Sequence, residues 1–333
     1  MAEGGHMVIA RSLVGALKAG GHDAEIIVTP QNRFGRQGAA YLANWLTDVT
    51  SGASGAIDQV ISLRYPAFAV RHPNHVCWLN HTMREYYDLW EQFSSRLSRR
   101  GRVKERIRRA LIHRADRYLL RRNVRRLFVQ SKTVQARLRI WPELRSTVLY
   151  PPAPPRQYRC DEYGDYIFLV SRLTPLKRVD LFVKALATAE GAGIRAVIGG
   201  DGEERGSLKS LVDRLGLADR VTLTGALSEA ALLDHLARCR AVCFPPFDED
   251  YGFVTVEAFA SRKPVITCLD SGGPAELVTN GRSGFVCEPT PASVAAAIRQ
   301  LADDRDLAEH MGSSAFRAGA KLNWPDTVHQ LTT

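Results

Sequence analysis

The chain has 333 residues, enough for two α/β cores of about 150 residues each. It has no run of the ~20 apolar residues that a membrane span needs and no apolar leader at its start, which points to a protein neither exported nor membrane-spanning. Its 45 Lys and Arg outnumber 35 Asp and Glu, for a net charge of +10, and Cys77, Cys160, Cys239, Cys243, Cys268 and Cys287 sit singly in apolar contexts. Zinc and CxxC redox pairs are thereby excluded, and the cysteines read as reduced core residues of a cytoplasmic protein.

In chain order, Met1-Ala-Glu-Gly-Gly5 runs straight into a helix-like stretch, His6 to Ala19. Strands are predicted at Ala24 to Thr29, Ile57 to Leu63, His75 to Asn80, Leu127 to Gln130 and Thr147 to Tyr150. His81 stands at the end of the third, in His81-Thr-Met-Arg84. Between residues 96 and 145, eighteen Lys and Arg face three acids, a net +15 that leaves the remainder of the chain at −5. Within that block Val103, Ile107, Ala110, Leu111, Ala115, Tyr118 and Leu119 recur at helical spacing with arginines between them. Such a helix either packs its apolar stripe on a core, with solvated arginines, or docks on an anionic membrane surface. No recognisable fold motif supports nucleic-acid binding.

Tyr150-Pro-Pro-Ala-Pro-Pro155 interrupts all regular structure and marks a boundary between domains 1–152 and 153–333. Strands follow at Tyr166 to Val170, Arg195 to Ile198, Val221 to Leu223, Ala241 to Phe244, Pro264 to Thr267 and Gly284 to Cys287, alternating with helices, a pattern of parallel sheets with right-handed crossovers. Phe244-Pro-Pro-Phe-Asp-Glu-Asp-Tyr-Gly-Phe-Val-Thr-Val-Glu257 places Glu249 in a loop and Glu257 about one turn into a helix that Gly252 opens. Ligands of open parallel sheets bind at the carboxyl ends of the strands, so both carboxylates are expected to face a site.

Taken with Val170-Ser-Arg172-Leu-Thr-Pro-Leu-Lys177-Arg-Val-Asp180, Ile198-Gly-Gly200-Asp-Gly202-Glu-Glu-Arg205 and Ser271-Gly-Gly-Pro-Ala-Glu276, this segment resembles the retaining, nucleotide-sugar-dependent glycosyltransferases of family 4. The resemblance is specific over residues 165–290 and looser before them. It implies an α/β, GT-B fold of two facing Rossmann-like domains, an acceptor domain followed by a donor domain, with no metal cofactor. It also implies a cytoplasmic enzyme, peripheral on the inner face of the plasma membrane where its acceptor is lipid-linked. Such domains open on a strand before their glycine loop, and here that first strand is absent, which leaves a non-catalytic nucleotide-sugar-binding remnant as the alternative.

The chemistry of that family needs negative charge held on a departing pyrophosphate, by basic side chains and helix N-termini where no metal does so. The resemblance assigns this to Arg172 and Lys177; their other reading is as solvated surface cations. Glu249, His81, Arg172 and Lys177 form the implied catalytic set. Arg172, Lys177, Gly200, Gly202, Tyr251, Gly252, Phe253 and Glu257 are implied to bind the donor, with Glu257 on the ribose or else steadying the first turn of its own helix. Gly4, Gly5 and Arg84 are implied at the acceptor or a phosphate. His81-Thr-Met-Arg84 is similar to bacterial surface-polysaccharide mannosyltransferases, which suggests GDP-mannose, with a UDP-sugar as the other donor and a glycan or lipid-linked acceptor. Asp248-Glu-Asp250 imitates a metal-binding Asp-x-Asp but coincides with the Glu-x7-Glu element. The Gly200 loop imitates a dinucleotide fingerprint, yet the next strand ends in Thr224-Gly225 without an acid for a ribose.

Overall fold

A computed structural model describes residues 5–29, 36–52 and 55–333. The chain divides into two compact units: one ends at Pro151 and resumes at Trp324–Thr333, the other spans Pro152–Asn323. The change of unit falls inside the proline run. Among the described residues no helix is long and apolar enough to cross a membrane.

The first unit begins with α1 (Gly5–Ala19) and α2 (Gln37–Leu46), then a two-rung antiparallel pair, β1 (Ser51–Gly52) with β2 (Gly55–Ala56). Its sheet is β3 (Val60–Ser62), β4 (His75–Leu79), β5 (Arg126–Val129) and β6 (Thr147–Val148), all parallel and in sequence order. β4, His75-Val-Cys-Trp-Leu79, is buried at every position, as expected of a strand covered on both faces. Between β4 and β5 run α3 (Trp90–Ser95) and the 25-residue α4 (Arg99–Asn123), and α5 (Lys132–Arg137) precedes β6. The strand expected at Ala24–Thr29 does not form: that segment has no regular structure, and its Ile26, Ile27 and Val28 are exposed. Its β-branched residues carry strand propensity, but propensity without a neighbouring strand gives no ladder.

The second unit holds a six-stranded parallel sheet in the order β12-β11-β10-β7-β8-β9. Its strands are β7 (Tyr166–Val170), β8 (Arg195–Gly199), β9 (Val221–Gly225), β10 (Ala241–Cys243), β11 (Val265–Cys268) and β12 (Gly284–Cys287). They alternate with α6 (Val179–Leu186), α7 (Arg205–Arg214), α8 (Glu229–Arg238), α9 (Phe253–Ala260) and α10 (Gly273–Leu277), and α11 (Pro291–Asp303) and α12 (Arg305–Gly319) follow. α6 places Val179, Leu181, Phe182, Val183, Ala185 and Leu186 in the core, where each Leu- or Phe-sized side chain contributes about 2 kcal/mol. Ser228, Thr290 and Asp304 cap α8, α11 and α12 through their side-chain oxygens. Strands β7, β8 and β9 build to one side and β10, β11 and β12 to the other, so the chain reverses direction between adjacent β7 and β10. Such a switch point is where doubly wound sheets open a ligand crevice.

The last helix, α13 (Trp324–Thr332), belongs to the first unit, whereas the boundary read at the proline run puts all of residues 153–333 in one domain. It is held there by the Arg126 guanidinium, which donates to the carbonyls of Gln330 and Leu331, and by Gln59, whose amide donates to Leu331 at 2.7 Å. Trp324 also stands edge-on to Trp78 of β4, centroids 6.4 Å apart. These partners are over two hundred residues distant in sequence, beyond what local patterning can register.

Candidate functional site

At the switch point, β7 ends at Val170 and the chain continues through Arg172 into a single 3-10 turn, Pro175–Lys177. Arg178 then adopts the left-handed conformation, φ 48°, and α6 starts. For a side chain of this bulk that conformation is strained, and a set of contacts holds it. The guanidinium meets both carboxylate oxygens of Asp270 at 2.7 and 2.8 Å and donates to the carbonyls of Pro245 and Pro246 at 2.8 and 2.7 Å. It thus ties the loop after β7 to the loops after β10 and β11. Neither Arg178 nor Asp270 was singled out from the sequence.

Those loops are also joined by their backbones. Phe247 N–H donates to Leu176 O at 2.7 Å, Asp248 N–H to Asp270 O at 2.8 Å, Glu249 N–H to Ser271 O at 3.0 Å, and Gly273 N–H to Glu249 O at 2.9 Å. A side chain on Gly272 (φ 68°) would stand 2.5 Å from Glu249 O, and one on Gly252 (φ 82°) 2.7 Å from the Pro274 ring. The two glycine-bearing motifs are therefore neighbours that require each other's lack of side chains. Tyr251 is buried, and its ring lies edge-on to Phe253, centroids 5.2 Å apart.

Within this frame Lys177 Nζ reaches Glu249 Oε2 at 2.5 Å and stands 5.6 Å from the centre of the Phe244 ring. Both side chains keep a minor share of their surface open, 16% and 19%. Arg172 is exposed and makes no ion pair among the described residues. Gly200 and Gly202 are needed by the same loop: added side chains would fall 1.8 Å from Ser171 O and 2.3 Å from Leu173 O. Their measurable effect is to let the loop after β8 carry the loop that presents Arg172 and Lys177.

Glu257 faces other partners. It is buried on α9, pairs with the Arg156 guanidinium, and its Oε1 lies 3.3 Å from the Tyr158 hydroxyl. Burial pushes its carboxyl up to about 7, while Arg156 and then Tyr158 pull the other way. Sequence patterning missed Arg156 and Tyr158 because they sit about a hundred residues upstream, just past the proline run. The two glutamates of the Glu-x7-Glu element thus serve different neighbours.

The site residues expected in the first unit stand as follows. His81, half-buried just beyond β4, has its Nδ1 2.7 Å from Thr82 O. Arg84 is engaged by Asp88 at 2.7 Å, and Asp88 lies 3.3 Å from Arg137 Nε. Gly5 opens α1, and Gly4 lies outside the described residues.

Residues 155–318 match the family model described as glycosyl transferases group 1. The alpha-D-kanosaminyltransferase of Streptomyces kanamyceticus is 33% identical over 153 residues, 45% of this chain and 39% of that protein. The chain spans less than half the length of the curated relatives it matches. Among solved structures, sucrose-phosphate synthase from Thermosynechococcus elongatus superposes with a TM-score of 0.76 at 19% identity, covering 98% of this chain and 92% of its own. WaaG, a glycosyltransferase involved in lipopolysaccharide biosynthesis, gives 0.72 at 15%, covering 100% and 97%. At these identities the likeness is one of fold, and that fold is the α/β GT-B type.

Proposed function

We propose that the chain, whose residues 155–318 carry the group 1 glycosyltransferase domain, is a retaining transferase that moves a sugar from a nucleoside-diphosphate sugar to a glycan or lipid-linked acceptor. The observation that carries this reading is the contact of Lys177 with Glu249 at the switch point of the second sheet. As the sugar bond breaks, negative charge grows on the leaving diphosphate and positive charge on the sugar ring. An ammonium and a carboxylate placed side by side meet both. Before donor binds, Glu249 neutralises Lys177; the arriving diphosphate takes the ammonium as its partner and Glu249 turns to the sugar.

Arg172, exposed and without an ion pair among the described residues, supplies the two-pronged hydrogen bonding that a diphosphate accepts. The first N–H groups of α9, behind Gly252, add donors without a side chain. Glu257 uses Oε1 toward Arg156 and Tyr158, so Oε2 is the atom assigned to a ribose hydroxyl. His81 is assigned to the donor sugar and Arg84 to an acceptor or phosphate. With cations meeting the charge, the reaction is assigned no metal. GDP-mannose is the first donor to try, on the similarity around His81.

The test is a panel of UDP- and GDP-sugars, offered in the presence of a chelator and scored for thermal stabilisation and release of nucleoside diphosphate. One donor should do both, since a bound donor raises the melting temperature by mass action. Failure of the whole panel in both readouts would defeat the proposal.

A further inference from the structure

Lys263 is wholly buried, yet no carboxylate pairs with it among the described residues. It stands in the short turn between α9 and β11, after Arg262 in the left-handed conformation, φ 54°. Its ammonium donates to the Sγ of Cys160 at 3.3 Å and to the carbonyl of Glu162, and lies 4.0 Å from the centre of the Tyr163 ring. A thiol, a carbonyl and a ring return less than a carboxylate does for taking a cation out of water. A methionine would fill the same space without that cost, so packing alone does not explain an amine here.

The sulfur beside it differs from the others. Of the six cysteines, Cys77, Cys239, Cys243, Cys268 and Cys287 are buried and Cys160 alone is partly open. Burial pushes the thiols of Cys77, Cys239 and Cys268 up to about 12, which leaves them inert to oxidants at neutral pH. Cys160 lies ahead of β7, and the next two residues, Asp161 and Glu162, donate backbone N–H groups to Ala237 O at 3.0 and 3.3 Å. These bonds fix the segment against the end of α8, and Glu162 O in turn fixes Nζ, so sulfur and nitrogen are held side by side.

We infer that Cys160 and Lys263 form a redox cross-link, closed by a peroxide and opened by a thiol. Hydrogen peroxide oxidises the Cys160 thiol by two electrons to a sulfenic acid, its O–O bond breaking to give water. Nζ then attacks Sγ: the S–N bond forms, the S–O bond breaks, and the hydroxyl leaves as water with one proton from nitrogen while a second goes to solvent. A thiol reverses the link by taking Sγ into a mixed disulfide and returning the amine; a second thiol then frees Cys160. The two residues are 103 apart in sequence, and Lys177, Glu249 and Glu257 lie between them. The link therefore closes one covalent loop around the loops of the switch point, and under oxidant it holds them against unfolding. The inference goes beyond the proposed transfer reaction and does not depend on it.

The experiment treats the full chain with excess hydrogen peroxide, digests it without reductant and reads the peptides by mass spectrometry. The expected product is a linked pair joining Cys160 to Lys263, lighter by two hydrogens than the separate peptides and released by dithiothreitol. The oxidised protein should melt roughly 5 °C or more above the reduced one and return on reduction. Cys160→Ser, close in size, should fold normally, give no linked pair and show no rise in melting temperature with peroxide. Lys263→Arg should keep a cation at the site and leave Cys160 as a sulfenic acid that a cyclic dione traps. Recovery of wild-type Cys160 unchanged, as a sulfinic acid with Lys263 free, or in a disulfide would overturn the inference. So would a peroxide-driven rise in melting temperature that persists in Cys160→Ser.

Discussion

Lys177 Nζ and Glu249 Oε2 lie 2.5 Å apart although 72 residues separate them in the chain. Each stands on a loop at the carboxyl end of one of the two strands, β7 and β10, between which the sheet reverses. If the pair works as a unit on the donor, Lys177→Met and Glu249→Gln should each lower turnover by about a hundredfold or more. The double variant should fall little further. Because the pair is partly open to solvent, stability should change by only about 1 kcal/mol. A double-mutant cycle in turnover whose two losses multiply would show that the residues act separately.

Arg178 is expected to matter through the loops it joins. Arg178→Lys removes the paired bonds to Asp270 and the two proline carbonyls, for which an ammonium has the wrong geometry. The variant should lose about 1–3 kcal/mol of stability in urea and bind donor more weakly. Wild-type stability with wild-type donor affinity would deny these bonds any role in shaping the site.

Gly200→Ala should destabilise by more than about 2 kcal/mol, since φ is 126° and the new carbon would be 1.8 Å from Ser171 O. Gly216→Ala is the control: its φ is also positive, at 64°, but nothing lies within 4 Å of the added carbon. Only the backbone penalty of about 1 kcal/mol should appear there. Equal losses at the two positions would mean that the close packing of the loops after β7 and β8 contributes nothing.

His75 gives a pH dependence with a definite sign. It is buried, its Nε2 2.8 Å from Ser62 Oγ, and burial holds its pKa down to about 4. An unfolded chain takes up this proton near pH 6.5, the folded one near pH 4. Stability is therefore lost as pH falls between those values, by up to about 3 kcal/mol. Asp116, raised to about 7 by its burial, works in the opposite direction over much of the same range. The difference between wild type and His75→Gln isolates the histidine: the wild type should lose ground to the variant from pH 7 to pH 5. Parallel stability curves would contradict the assignment.

The strands of the second sheet were legible because buried runs such as Tyr166–Val170 and Val265–Cys268, punctuated by glycine loops, carry their own boundaries. The loops that carry Arg172, Lys177 and Glu249 were legible for the same reason. Side-chain partners were not. Arg178 meets Asp270 across 92 residues and Arg156 meets Glu257 across 101, and no local period encodes which cation finds which acid. α4 illustrates a different limit. Helical spacing shows which residues share a face, but Val103, Ile107 and Leu111 satisfy it as well on the outside as Ile112 and Leu119 do on the inside. Ala24–Thr29 has the composition of a strand and none of its pairing.

The measurement that bears most directly on the proposed function is release of UDP or GDP from nucleotide sugars, with water or added glycan as acceptor and a chelator present throughout. Wild-type protein is expected to release one nucleoside diphosphate from its donor, Lys177→Met to release almost none, and the sugar product to keep the donor's anomeric configuration by NMR. Release that survives in Lys177→Met, that needs a divalent metal, or that yields the inverted anomer would contradict the account.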